Sequence, residues 1–169
     1  MNANTNKRIV SFFLILSVIN LTLMIPGGFI ESRDFSHINS MILAIFNIFL
    51  TILGLISLFL VYFINKNFKW SFKAAYLCGI SYFTVYIIDL FKIFPKSPTP
   101  MPELLYILEI VGCVISIPLI FYSMKIIKEW KNDDSKMTFS KGFYGLIAIA
   151  VIIGLCIIIF ATNAAMTGK

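Results

Sequence analysis

The sequence predicts an all-α protein, a polytopic membrane bundle of five transmembrane helices. Three observations carry that prediction. Apolar residues make up 59% of the 169-residue chain and charged residues only 13%, against about 25% charged in ordinary soluble domains, so the charge is too thin to cover a water-facing surface. The apolar residues gather into five runs close to or above the ~20 residues that cross a bilayer as a helix. The polar residues fall in short stretches between those runs and leave no room for a soluble domain, so residues 1–169 read as a single transmembrane domain.

The first span is expected at about 9–28. A polar head, MNANTNKR, precedes the apolar run Ile9 to Ile25, as in a signal peptide. Pro26-Gly27-Gly28 then offers no small-x-small cleavage pattern, so the span is read as retained, with its end unwound by the proline and glycines. Asn20, midway along it, suits a helix–helix hydrogen bond. The second span is expected at 41–64, with Asn47, Thr51, Gly54 and Ser57 at helical spacing on one face. Small and hydroxylated residues let helices approach closely, so this stripe reads as a packing seam. After the connection NKNFKW, the third span runs from 71 to 94 and carries Ala75-x-x-x-Gly79 and a face of Tyr82, Tyr86 and Asp89.

Prolines at 95, 98, 100 and 102 forbid helix and give a stiff, extended loop. The fourth span, 104–124, contains Glu109 with Tyr106, Cys113 and Ser116 at related offsets, and Pro118 is positioned to kink it. The lysine-rich connector 125–142 has two readings. Ile126, Ile127 and Trp130 lie on the membrane while the lysines reach anionic headgroups, or the stretch is a solvated linker. The fifth span, 143–162, is uniformly apolar and reads as a lipid-facing or packing helix. Cys78, Cys113 and Cys156 all lie inside apolar runs, without paired or metal-ligand spacing, and read as packing residues.

The net charge of +6 does not point to nucleic acid, because the cations lie between spans. With a cytoplasmic N-terminus, ten of the fourteen lysines and arginines fall inside and Arg33, Lys92, Lys96 and Lys169 outside. That positive-inside bias orients a multi-pass protein of the cell membrane, N-terminus in and C-terminus out.

Chemistry is expected at Pro26 to Ser40, where the chain turns densely polar: Glu31, Arg33, Asp34 and His37 fall within it. Asp89 and Glu109 sit about five residues from the same ends of spans three and four, roughly 7–8 Å deep. Ionisable groups at such depth face the bundle interior or a water-filled cavity. Together with Tyr86 and Tyr106 they form the candidate outer pocket. Arg33 is the natural partner of Glu109 or Asp89, and Lys92 is a second partner for Asp89. A metal held by Glu31, Asp34 and His37 is the weaker reading, since nothing fixes the ligand geometry.

No nucleophile elbow, zinc pattern or haem ligand pair is present, and no motif specifies a cofactor. The leading expectation is therefore a non-enzymatic ligand- or ion-binding protein, transporter-like or accessory. Two alternatives stay open: a membrane-embedded enzyme using Glu109, Asp89 or His37 on a lipid or quinone-like substrate, and a structural or partner-binding subunit. The partners this composition admits are the lipid bilayer, a small-molecule, ion or lipid ligand, and a second copy or another membrane protein.

Overall fold

The computed structural model describes residues 3–130 and 141–167. Among them it contains five helices and no strand: α1 (Ala3–Leu23), α2 (Ser40–Asn65), α3 (Lys69–Leu90), α4 (Glu103–Glu129) and α5 (Lys141–Thr167). Each is long and apolar enough to cross a membrane. The helices run up and down, so the loop between α1 and α2 shares one end of the bundle with the α3–α4 loop and the end of α5.

Helix ends differ from the expected spans for local reasons. α1 begins at Ala3, not Ile9: its polar first turns pack on the bundle, where Asn6 is buried and Lys7 Nζ donates to Asn67 Oδ1. It stops at Leu23, not 28, where Pro26 pushes its predecessor out of helical geometry and Gly27 takes φ 81°. α2 ends in a Schellman motif. Asn67 turns to φ 62°, Asn67 N–H donates to the Ile64 carbonyl and Phe68 N–H to that of Phe63. The Phe63 and Phe68 rings then meet at 6.1 Å, the apolar contact that accompanies this cap. α3 stops at Leu90 rather than 94 by the same device, with Lys92 at φ 55° and bonds from Lys92 to Asp89 and Ile93 to Ile88.

α4 runs past 124 to Glu129 because its last turns have an apolar face to bury. Ile126 is buried, Ile127 and Trp130 pack on the core, and the Trp130 ring lies 5.5 Å from Phe72. Ile126 therefore belongs to the interior, and Ile127 and Trp130 lie half-buried against it. Residues 131–140 of the connector, with Lys131 and Lys136, lie outside the described residues, and Lys141 opens α5.

The tightest pair is α3 with α4. Among the buried positions, Phe72, Ala75, Gly79, Tyr82, Tyr86 and Asp89 of α3, and Leu105, Glu109, Gly112, Ser116, Leu119, Ser123 and Ile126 of α4, follow one another in steps of three and four, with Ser71, Cys78 and Ile115 buried beside them. That 3.5-residue repeat is the seam of left-handed helix pairing. Gly79 admits Leu119 and Ile120, and Gly112 admits the Tyr86 ring. Seven residues forward on α3 thus match seven back on α4, and the register sets Asp89 opposite Glu109.

α1 packs on α2 and α4, and Asn20 Nδ2 donates to the Leu108 carbonyl at 3.1 Å. The α2 stripe divides between neighbours: Ser57 accepts from the Tyr82 hydroxyl at 3.1 Å, and Asn47 Nδ2 donates to Thr162 Oγ1 on α5 at 3.1 Å. α5 packs on α2 alone among the helices. Only 6% of its most apolar window is buried, against 39% for α3. All three cysteines are free thiols, Cys78 buried and Cys156 exposed.

Candidate functional site

The first loop enters the bundle by alternation. From Glu31 to Phe35 the backbone belongs to no helix, and Glu31, Arg33 and Phe35 are buried while Ser32 is exposed and Asp34 half-buried. In extended chain, residues two apart point the same way, so these three side chains descend together. Phe35 anchors the segment, and its N–H donates to the Ala165 carbonyl of α5 at 3.1 Å.

Arg33 then forms a double fork. Nη1 meets Asp89 Oδ1 at 2.7 Å and Nη2 meets Oδ2 at 2.8 Å. On its other edge Nε donates to Glu31 Oε1 at 2.9 Å, and Nη2 reaches Oε2 at 2.5 Å. The planar guanidinium suits such paired bonds. Phe35 stacks beneath, 5.1 Å from Cζ to ring centre. Burial alone would lower the arginine's proton affinity, but the bonds and charges of Asp89 and Glu31 outweigh it and hold the group above its ordinary value.

Glu109, six residues into α4 and thus about 9 Å from its start, is 1% exposed. Its side chain lies within hydrogen-bonding reach of Asp89, and the charges of Asp89, Arg33 and Glu31 also reach it, while Arg33's fork is taken up by Asp89 and Glu31. Glu109 Oε2 and the Tyr86 hydroxyl have no hydrogen-bond partner among the described residues. Glu109 and Tyr86 are among the residues lining a cavity of about 50 Å³, with Glu31, Arg33, Asp89 and Asn47, and the two unpartnered atoms themselves are covered.

Of the eight residues the sequence proposed, five meet here: Glu31, Arg33, Tyr86, Asp89 and Glu109. Three do not. Asp34 points the other way in the alternation, and its Oδ1 accepts the Ser36 N–H at 2.8 Å, which lowers its pKa. His37 is exposed, so Glu31, Asp34 and His37 do not gather around a metal. Tyr106 is 50% exposed because the heptad seam runs through Leu105 and Glu109 and leaves it outside. Lys92 is exposed, and Asp89 pairs with Arg33 instead. Nor does Glu109 receive an Arg33 hydrogen bond. Asp89 lies in the last turn of α3, shallower along its own helix than the sequence suggested, yet it faces Glu109 through the seam register.

The roles of Asn47, Phe35 and Pro95 in lining the cavity were not anticipated. The alternation of residues 31, 33 and 35 was the available signal for Phe35.

A family model for DUF8051, a domain of unknown function, matches residues 6–139. The chain belongs to that family. The DUF8051 segment takes in α1 to α4 and every charged member of the cluster, whereas α5 lies beyond it. No curated protein and no solved structure matches the chain.

Proposed function

We propose that this DUF8051 protein is a multi-pass integral membrane protein that binds an ammonium-type cation beneath its first loop, as a transporter-like or accessory component. Its N-terminus is cytoplasmic on the positive-inside count. The observation that carries the binding reading is the Glu109 carboxylate: buried, lining a cavity, with one oxygen unpartnered.

Charge balance supports it. With three carboxyl groups facing one guanidinium, the excess negative charge is relieved either by a proton on one carboxyl group or by a second cation. An ammonium group supplies positive charge and three N–H donors, and Glu109 Oε2 is an unpartnered acceptor on a residue that lines the cavity. The cavity of about 50 Å³ is of the size for one or two waters at roughly 30 Å³ each, and an –NH₃⁺ group is comparable. No three histidine, cysteine or acidic side chains gather in a metal-holding arrangement among the described residues. That favours a hydrogen-bonding cation over a divalent metal.

Thermal unfolding in neutral detergent tests this. Methylammonium should raise the midpoint of the wild type over the bulky N-methylglucammonium at equal ionic strength, and Glu109→Gln should abolish the difference. Equal midpoints in both salts for the wild type would sink the reading.

A further inference from the structure

We infer that the ammonium group is the head of a single-chain amphiphile, which enters sideways from the lipid between α1 and α5. This rests on the cation reading above and names its ligand class.

The route is visible in the helix contacts. α1 and α5 each pack on α2 but not on each other. Between them lies an apolar cleft of about 190 Å³, floored by Leu50 and Gly54 of α2 and walled by Leu21 of α1 and Ile157 of α5. It adjoins the charged cavity: Leu21, Met24, Asn47 and Leu50 line both and are the side chains that an entering head would pass. One space is apolar and open to the side, and the other is small and rich in carboxylates.

The loop-side approach has the wrong sign for a cation. The space of about 200 Å³ above the cluster is lined by Arg33, Lys92 and Lys96, and like charges repel an arriving ammonium. The cleft carries no charge. A chain laid along it gains apolar contact while its head meets Glu109, as snorkelling side chains do in reverse. The small charged cavity selects a primary ammonium over a trimethylammonium head.

The full chain in phosphatidylcholine nanodiscs provides the test, with a dodecylamine probe bearing a diazirine in its chain. Cross-links should concentrate at Leu50, Gly54 and Ile157. Unlabelled dodecylamine should compete about tenfold or more better than dodecanol, the worth of one charge-assisted hydrogen bond. A Cβ at Gly54 meets only Leu21 Cδ2, at 3.8 Å, so Gly54→Leu fills the cleft without a backbone clash and should cut the cross-link tenfold. Labelling as dense on the exposed α4 residues Ile110, Val114 and Ile117 as in the cleft would overturn the inference, as would equal competition by dodecanol. If methylammonium still stabilises while the cleft stays unlabelled, the amphiphile falls alone. If neither effect appears, the cation reading falls with it.

Discussion

Helix α3 meets α4 along a heptad seam of interlocked large and small residues, closed at one end by Asp89 and Glu109. Among the helices, α5 meets only α2: at one end Phe143 packs among the rings of Phe59, Tyr62 and Phe63, and beyond it come Gly154, Ala161, Ala165 and one Asn47–Thr162 hydrogen bond, while the first loop adds the bond from Phe35. The first attachment interlocks over its full length and ends in a charged cluster, the second combines an aromatic cluster at one end with small residues and two isolated polar ties. Apolar surface alone does not separate a helix from lipid, whose tails are as apolar as leucine, so packing and hydrogen bonds decide which contacts hold. On that basis the α3–α4 pair is the rigid frame of the site, and α5 is a side rail.

The largest effect that would break this comparison is at the charged end of the frame. Arg33→Ala leaves Glu31 and Asp89 buried without a counter-charge and should cost about 3–5 kcal/mol. Adding Asp89→Asn should recover part of that loss, because the double variant leaves fewer unpaired charges. A double-mutant cycle by unfolding in neutral detergent measures the coupling. Strict additivity would mean the fork contributes nothing.

A smaller contrast lies in two glycines. At Gly112 a Cβ would sit 2.6 Å from Tyr86 Cδ2, while at Gly145 on α5 it would meet nothing within 4 Å. Gly112→Ala should therefore cost about 1–3 kcal/mol by overpacking, and Gly145→Ala should stay within about 0.5 kcal/mol. Similar unfolding midpoints for the two variants would erase the distinction between frame and rail. The smallest effect sharpens the comparison from the other side. The Asn47–Thr162 bond should show a coupling of about 0.6 kcal/mol in a cycle of Asn47→Leu with Thr162→Val, the usual worth of one interhelical hydrogen bond.

Five apolar runs and the reach of Arg33 toward an acid were legible in the sequence, because both follow from composition and cost. Apolar length sets a span, and a buried acid needs a counter-charge. What was hidden depended on period and register. Tyr106 lies three residues before Glu109, close enough on a helical wheel to share its face. Only the 3.5-residue seam through Leu105, Glu109 and Gly112 shows that it falls outside. Glu31 was legible as a loop acid but not as the second half of the fork, since the alternation of 31, 33 and 35 matters only once the loop is known to dip inward. The helix ends were missed where a Schellman cap on Lys92 stopped α3 inside an apolar run. The polar head of α1 was missed because its partner, Asn67, lies sixty residues away.

The bond from Phe35 N–H to the Ala165 carbonyl links the first loop to the last turns of α5. Carbonyls near a helix C-terminus lack partners within their own helix, so α5 gives up no internal bond to make this one. Mechanically, the side rail holds the lid over the charged cavity. Phe35 is two residues from Arg33, and a sideways swing of α5 away from α2 would pull on the same strand of backbone that positions the guanidinium. The helix that contributes least to holding the bundle together is thereby tied, two residues of backbone away, to the arginine at the centre of the charged cluster, like a lever arm fixed near its load.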